Sequence, residues 1–440
     1  MVKFNKFIAG VALFSVLLAA CDTDVEHNIA QVAAPEFQTI SPESSEVLSL
    51  GKHTITLTFD KNIFFASSYI DKLELTGAEL VSAEVMGSSN QLIITANFPE
   101  RDKECTLTIP EGVITGPNKM PVEAMTFTFK TCSLDKNPVN TLTTEAMKVY
   151  TFLQENYESK IISGMMANVA WNTEKSEQVY QWTGKYPAIN CFDYVHLQSS
   201  PSNWIDYSDI TPVKNWSDNG GIVSIMWHWN VPVAEGSTSY AFYAENNGFD
   251  ADKALVEGSW ENKVFTADLE KCAGYLKLLK DANIPVLWRP FHEASGGWFW
   301  WGRNASSEKA MWIYMFDFFK SKGLNNLIWI WTSQVGDKEW YPGDQYVDIV
   351  GCDIYNKTTA ECAAQYSQII KEFGNKIITL SECGSVGKIS EQWASGGCWS
   401  WFMPWYDNDG AETLHADKAW WEDAMKQSYV ITRDKLPSFK

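Results

Sequence analysis

Between residues 161 and 405 short apolar runs alternate with segments of helical period, and the runs tend to finish on a polar or aromatic residue. Eight such runs are strand candidates: "IISGMM" (161–166), "YPAINCFDY" (186–194), "GIVSIMWHWN" (221–230), "IPVLWRPFHE" (284–293), "LIWIWT" (327–332), "VDIVGCDIY" (347–355), "KIITLSECG" (376–384) and "CWSWFMPW" (398–405). The stretches between them are helical in period. Leu269, Cys272, Leu276 and Leu279 recur on one face, and Ser306, Ser307 and Glu308 supply a start that Gly323 closes. Strand and helix in strict alternation mean βα units on a parallel sheet. Eight strands predict an α/β fold of the closed (β/α)8 type, a TIM barrel. An open doubly wound sheet is the competing arrangement, but no glycine-rich phosphate loop follows the first strand.

In such a barrel the working groups sit at the C-terminal ends of the strands. Strand three ends with His228, strand four with Arg289, His292 and Glu293, strand six with Asp353 and Tyr355, strand seven with Glu382, and strand eight with Trp399 and Trp401. Glu293 and Glu382 each follow apolar runs, and burying a carboxylate there is costly unless it is hydrogen-bonded. Strands four and seven lie on roughly opposite sides of an eight-strand ring, which aims the two acids at each other. Paired carboxylates are what glycoside hydrolysis requires, one protonating the leaving oxygen while the other attacks the anomeric carbon. A glutamate salt-bridged to Arg at a barrel rim is the competing reading.

The chain has 21 Trp, 17 Tyr and 23 Phe. Most of these rings are core filling, yet several stand beside polar groups at strand ends, where the apolar face of a sugar would stack on indole. Trp300, Trp301 and Phe299 are read as packing, whereas Trp171 and Trp204 lie in loops that would extend a cleft. His228 has a competing role as a buried histidine with both nitrogens satisfied. The net charge of −19 carries no basic stripe and argues against a nucleic-acid or anionic-membrane partner. No cofactor is expected, and no metal site, because the cysteine spacing, with no CxxC pair, gives metal ligation no support.

"WRPFHEASGGWFWWG" resembles the acid/base motif of family 26 glycoside hydrolases, largely β-mannanases within the retaining (β/α)8 clan A. "ITLSECG" is similar to their nucleophile strand and "GCDIY" to their strand-six motif. The resemblance spans roughly residues 140 to 435, and His rather than Asn before the acid/base glutamate separates this family from most of its clan. It implies an endo-acting retaining β-1,4-mannanase working on mannan, glucomannan or galactomannan by double displacement. An exo-acting mannobiohydrolase, another β-glycanase on the same fold, and a non-catalytic glycan-binding lipoprotein are the alternatives.

Residue by residue, the resemblance makes Glu293 the general acid/base and Glu382 the nucleophile. His292 lies beside the attacked sugar, Trp298 stacks at or next to the cleavage point, and Tyr355 hydrogen-bonds the nucleophile. His228 binds sugar hydroxyls, and Trp401 floors the subsite of the attacked ring. Arg289 and Asp353 support the carboxylates as an ion-pair network. Glu382, near Arg289 and the Tyr355 hydroxyl, is expected to stay ionised, and Glu293 to be raised by aromatic walls and a second carboxylate. The carboxyl groups should then stand roughly 5 to 5.5 Å apart, as in a retaining enzyme. Family members often read Met-Asn-Gly after the acid/base, where this chain has Ala294-Ser295-Gly296. The insertion between strands three and four, "VAEGSTSYAFYAENNGFDADKALVEGSWENK", is the candidate for closing one end of the cleft.

The N-terminal third reads differently. Lys3 and Lys6 precede an apolar stretch from Phe7 to Ala20 that ends at Cys21, a secretory signal rather than a membrane span. It resembles a bacterial lipoprotein signal over residues 1–20, which implies Cys21 as the acylated residue, an acidic tether over 21–34 and an outer-membrane location in a Gram-negative cell. From Pro35 to Cys132 the pattern alternates with period two, as in "HTITLTFD" and "NQLIITANF", and predicts a small antiparallel β-sandwich. "ISPESSEVLSLGKHTITLTFDKNI" resembles the opening of a bacterial immunoglobulin-like domain, expected to act as a spacer or accessory module. Residues 133–142 read as a linker, and 143–440 as the hydrolase domain of a monomer. Export permits disulfides, and Cys105 with Cys132 could bridge neighbouring strands, although buried thiols are the other reading.

Overall fold

The structure, a computed structural model, describes residues 33–440 apart from 45, 118, 169–170 and 203–204. The secretory stretch, Cys21 and Trp204 lie outside the described residues. The chain divides into two compact units, one all-β and one a barrel.

In the all-β unit one antiparallel sheet runs in the order Phe37–Ser41, Gly51–Phe59, Gln91–Phe98, Glu79–Glu84. A second sheet pairs Met125–Thr131 with Glu104–Ile109, and the latter with Glu74–Thr76, again antiparallel. Alternate residues point inward, which is why Ile55, Leu57 and Phe59 and then Leu92, Ile94, Ala96 and Phe98 are buried. Phe98 of the first sheet meets Phe129 of the second edge-on, with ring centroids 6.3 Å apart. The bridge between Cys105 and Cys132 is not formed, and all eight described cysteines are thiols. The Cys105 thiol instead donates to the Gly77 carbonyl at 3.1 Å.

The second unit is a closed barrel of eight parallel strands: β1 (Ile161–Met166), β2 (Ile189–Asp193), β3 (Ile222–Met226), β4 (Val286–Arg289), β5 (Leu327–Ser333), β6 (Ile349–Tyr355), β7 (Ile377–Gly384) and β8 (Trp401–Pro404). Each strand pairs with the next, and β8 returns to β1 through Trp401–Ile162 and Phe402–Ser163. A short outer strand, Val430–Ile431, adds to β1. Parallel strands covered on both faces lose the period of two and become continuous apolar runs. β5 and β7 accordingly are buried along their whole length.

Helices on the outside carry the expected faces. Those used below are α1 (Trp260–Asp281), α2 (Ala305–Ser321) and α3 (Thr359–Glu372). In α1 the four residues read from the spacing, Leu269, Cys272, Leu276 and Leu279, are all buried. α2 starts earlier than Ser306, because the Asn304 side chain caps it by accepting from the Ser307 N–H at 2.9 Å. Gly323 follows its end with φ +72°, a conformation suited to glycine. α3 opens with a capping box between Thr358 and Glu361. Residues 133–142, read as a linker, group with the barrel. There Asp135 N–H donates to the Asn375 carbonyl at 2.8 Å, and Val139 N–H donates to the buried Asp348 carboxylate at 2.8 Å.

Candidate active site

β4 stops at Arg289, so His292 and Glu293 sit beyond the strand rather than on it. The chain reaches them through two left-handed residues, Phe291 at φ 47° and Glu293 at φ 53°. Such conformations cost about 1–3 kcal/mol each for residues with a side chain, and persist only where the surroundings hold them. The run of tryptophans does part of that holding. Trp301 Nε1–H donates to the His292 carbonyl at 2.9 Å, and Trp300 Nε1–H to the Trp229 carbonyl at 2.6 Å. Both indoles are fully buried, as packing residues should be. Trp298 behaves differently. It is 43% exposed, folds over Gly296 so closely that a Cβ there would lie 2.2 Å from the indole, and donates from Nε1 to Glu293 Oε2 at 2.9 Å.

The insertion between β3 and β4 is stitched to the same segment. Its Val231–Pro232 and Tyr240–Ala241 pair as a small antiparallel ribbon. Ala244 N–H donates to the Trp298 carbonyl at 2.7 Å, and Trp300 N–H donates to the Phe242 carbonyl at 3.0 Å. Tyr243 of the insertion then stacks on Phe299 with centroids 5.7 Å apart.

Asp353 and Glu382 each stand two residues before the end of their strands, β6 and β7, beside irregularities in the ladder. The β6–β7 register shifts between Cys352 and Asp353, and the β7–β8 register between Leu380 and Cys383. Bulges of this kind re-aim a side chain at a barrel rim. Between the two acids stands Arg289, wholly buried. Its Nη1–H donates to Asp353 Oδ2 at 2.7 Å and to Thr332 Oγ1 at 3.1 Å, and its Nη2–H donates to Glu382 Oε2. Ser381 Oγ–H donates to Asp353 Oδ1 at 2.7 Å, and the Tyr355 hydroxyl donates to Glu382 Oε1 at 2.6 Å. One carboxylate oxygen each from Glu293, Asp353 and Glu382 lies within 4.8 Å of the other two. That clustering suits the closer spacing of a retaining pair, and not a separation of about 9 Å. Within that cluster Arg289 sets its positive charge against Asp353 and Glu382.

The two glutamates are unequal. Burial pushes the Glu293 carboxyl up to about 9, with the charges of Asp353 and Glu382 adding to it. Burial and Asp353 also lift Glu382, to about 7, while Arg289 and the Tyr355 hydroxyl pull it down. Glu382 is therefore less readily ionised than the sequence suggests, because its desolvation is only partly offset. The order is what matters: Glu382 gives up its proton first and Glu293 retains one. Burial holds His292 well below the usual imidazole range, with His228 and Arg289 adding to the effect, so it is neutral.

These groups line a cavity of about 520 Å³ together with His228, Tyr243, Phe299, Gln334, Lys357, Gln365, Trp405 and His415. His228 is oriented by Asp193 at the end of β2, which faces His228 Nδ1 at 2.6 Å and accepts the His228 backbone N–H at 3.0 Å. Asp193 is a residue that the sequence reading missed, though its place at a strand end in "NCFDY" marks it. Trp401, expected as a subsite floor, is fully buried within the barrel; Trp405, four residues on, lines the cavity instead. The reason is that β8 begins only at Trp401, so Trp399 precedes the strand and Trp401 opens it rather than standing at its C-terminal end. Phe299, assigned to packing, is buried but contributes to the cavity wall. Trp171 belongs to the core, stacked on Tyr194 with centroids 5.3 Å apart.

Residues 138–435 match the profile of "Glycosyl hydrolase family 26". Among curated relatives, the chain is 32% identical over 304 residues to mannan endo-1,4-beta-mannosidase B of Piromyces sp, covering 67% of this chain and 52% of the relative. It is 34% identical over 312 residues to mannan endo-1,4-beta-mannosidase of Thermothelomyces thermophilus, covering 67% and 62%. The chain thus spans between half and two thirds of the length of these relatives. Among solved structures it resembles the GH26 domain of an endo-beta-mannanase/endo-beta-glucanase from Prevotella bryantii, at 41% identity and TM-score 0.65 over 68% of this chain and 98% of that one. It also resembles a beta-mannanase from a symbiotic protist of the termite Reticulitermes speratus, at 36% identity and TM-score 0.61 over 70% and 99%.

Removing the Tyr355 hydroxyl takes a donor away from the anionic form of Glu382. Tyr355→Phe is expected to raise the acid limb of the pH–rate profile by about one unit, since one unit corresponds to about 1.4 kcal/mol. With Glu293 as the proton donor, the alkaline limb should stay in place; the measurement is kcat/KM against pH for both proteins.

Proposed function

This chain belongs to glycosyl hydrolase family 26, and from that premise we propose that it is an endo-acting retaining β-1,4-mannanase. The observation that carries the reading is the close approach of the Glu293 and Glu382 carboxylates in one cavity, each with a different set of partners. Glu382 attacks the anomeric carbon while Glu293 donates its proton to the departing oxygen. Arg289 and Tyr355 each occupy a lone pair on a different Glu382 oxygen. A carboxylate oxygen has two, so one remains for the attack. Glu293, now deprotonated, then activates the water that releases the sugar. Neutral His292 and the Asp193-oriented His228 face the same cavity, and in this reading they hydrogen-bond the hydroxyls of the attacked ring. Trp298 and Trp405 offer their faces to sugar rings.

Two measurements test this. Glu382→Ala should lose activity on β-mannan and regain part of it with azide, giving a glycosyl azide of inverted configuration; a retained product would overturn the assignment of the nucleophile. Mannohexaose should yield mixed oligomers, whereas mannobiose alone would indicate exo action.

The reading extends to the rest of the chain. The two-sheet unit is read as an immunoglobulin-like domain over 35–132 that serves as a spacer or accessory module. Cys21 is read as a lipid attachment point that holds the enzyme at the outer membrane of a Gram-negative cell. Supporting this are the two lysines, the apolar stretch and the small residues before the cysteine. Metabolic labelling with radioactive palmitate should mark the wild-type protein and not Cys21→Ala; equal labelling would remove the anchor.

A further inference from the structure

The acid/base glutamate rests on a turn that the mechanism itself does not explain. Glu293 holds φ 53°, ψ 30°, and leads into a single tight turn, Ala294–Gly296. Its carbonyl accepts the Gly296 N–H at 3.0 Å. The other side of that turn reaches away from the cavity. Ser295 Oγ–H donates to Asp337 Oδ2 at 2.6 Å. Asp337 is buried in the loop after β5 and accepts two more hydrogen bonds from the end of that strand. Ser333 Oγ–H donates to Oδ1 at 2.7 Å, and Gln334 N–H to Oδ2 at 2.8 Å. Ser333 is the last residue of β5 and fully buried, so the carboxylate is fixed to a rigid strand.

A second carboxyl, Glu308 of α2, is fully buried nearby and makes no hydrogen bond among the described residues. Burial drives it well above its ordinary range, with Asp337 adding to the effect. Glu308 is thereby neutral and sets no second charge against Asp337.

We propose that Asp337 is a positioning residue for the acid/base, acting through Ser295 to clamp the turn after β4 onto the end of β5. The clamp opposes relaxation of Glu293 out of its left-handed conformation, which would swing the carboxyl off the line to the leaving oxygen. Small displacements of a proton donor are costly because proton transfer needs hydrogen-bond reach. The proposal rests on Glu293 being the acid/base.

The test compares kcat/KM on mannohexaose, whose leaving group needs a proton, with kcat/KM on dinitrophenyl β-mannobioside, whose leaving group needs none. Ser295→Ala removes the strap without touching the anchor on β5. It is expected to lower kcat/KM on mannohexaose by about tenfold, a fraction of the 10²–10⁴ range of general acid catalysis. The value on the dinitrophenyl substrate should hold within about twofold, and Ser295→Thr should restore the first. Asp337→Asn should fall on the same side. An unchanged rate on mannohexaose, or an equal fall on both substrates, overturns the proposal. Glu293→Gln run beside them separates the two readings. If that variant fails equally on both substrates the acid/base assignment itself is wrong; if it fails on mannohexaose alone while Ser295→Ala does not, only the clamp is.

Discussion

A guanidinium sealed inside a barrel mouth is the interaction on which the rest depends. Arg289 is wholly inaccessible and satisfies Asp353 and Glu382 at once. Removing one member of a buried ion network costs about 3–5 kcal/mol, because the remaining charges lose their counter-ion. The grouping is therefore strongly cooperative, because one guanidinium answers both carboxyl groups. With it, oxygens of three acids lie within 4.8 Å of one another, and Glu293 and Glu382 still differ in affinity for a proton. Burial and the neighbouring carboxylates lift Glu293 against the charge of Arg289 and one donor, Trp298, whereas Glu382 has donors on both its oxygens, one of them the Arg289 guanidinium itself. The charge of Arg289 and then the Tyr355 donor, more than unequal burial, set the two glutamates apart.

Aromatic side chains do two separate jobs around that centre. Buried indoles such as Trp300 and Trp301 spend their single N–H on backbone carbonyls and so convert packing into control of backbone angle. Exposed ones present a face to the groove. The sequence places both kinds side by side in four residues, and only their different depth tells them apart. Gly296 is the hinge of that distinction, since the indole of Trp298 occupies the space where a side chain would be.

Much of this was legible in the chain. Barrel strands covered on both sides read as continuous apolar runs, and β1, β5 and β7 fall within a residue of the runs that predict them. Runs four and eight were longer than their strands, for a shared reason: polar and aromatic residues of the loops continue an apolar run without a break. Hence Glu293 lies four residues past the end of β4, and the rim of β8 is marked by Trp405 rather than Trp401. The Asp193–His228 pair was not legible because it joins residues 35 apart in sequence, across two neighbouring strands. Nor could composition show that Phe291 and Glu293 adopt left-handed angles, since local preference opposes both. Those are places where tertiary contacts override the local rule, as is expected at working sites.

The ribbon inserted after β3 shares backbone hydrogen bonds with the segment that carries Trp298 and Trp300. Cleft architecture and proton delivery are consequently not separable modules in this molecule. A shortened insertion would remove these backbone hydrogen bonds from the segment whose Trp298 indole donates to Glu293.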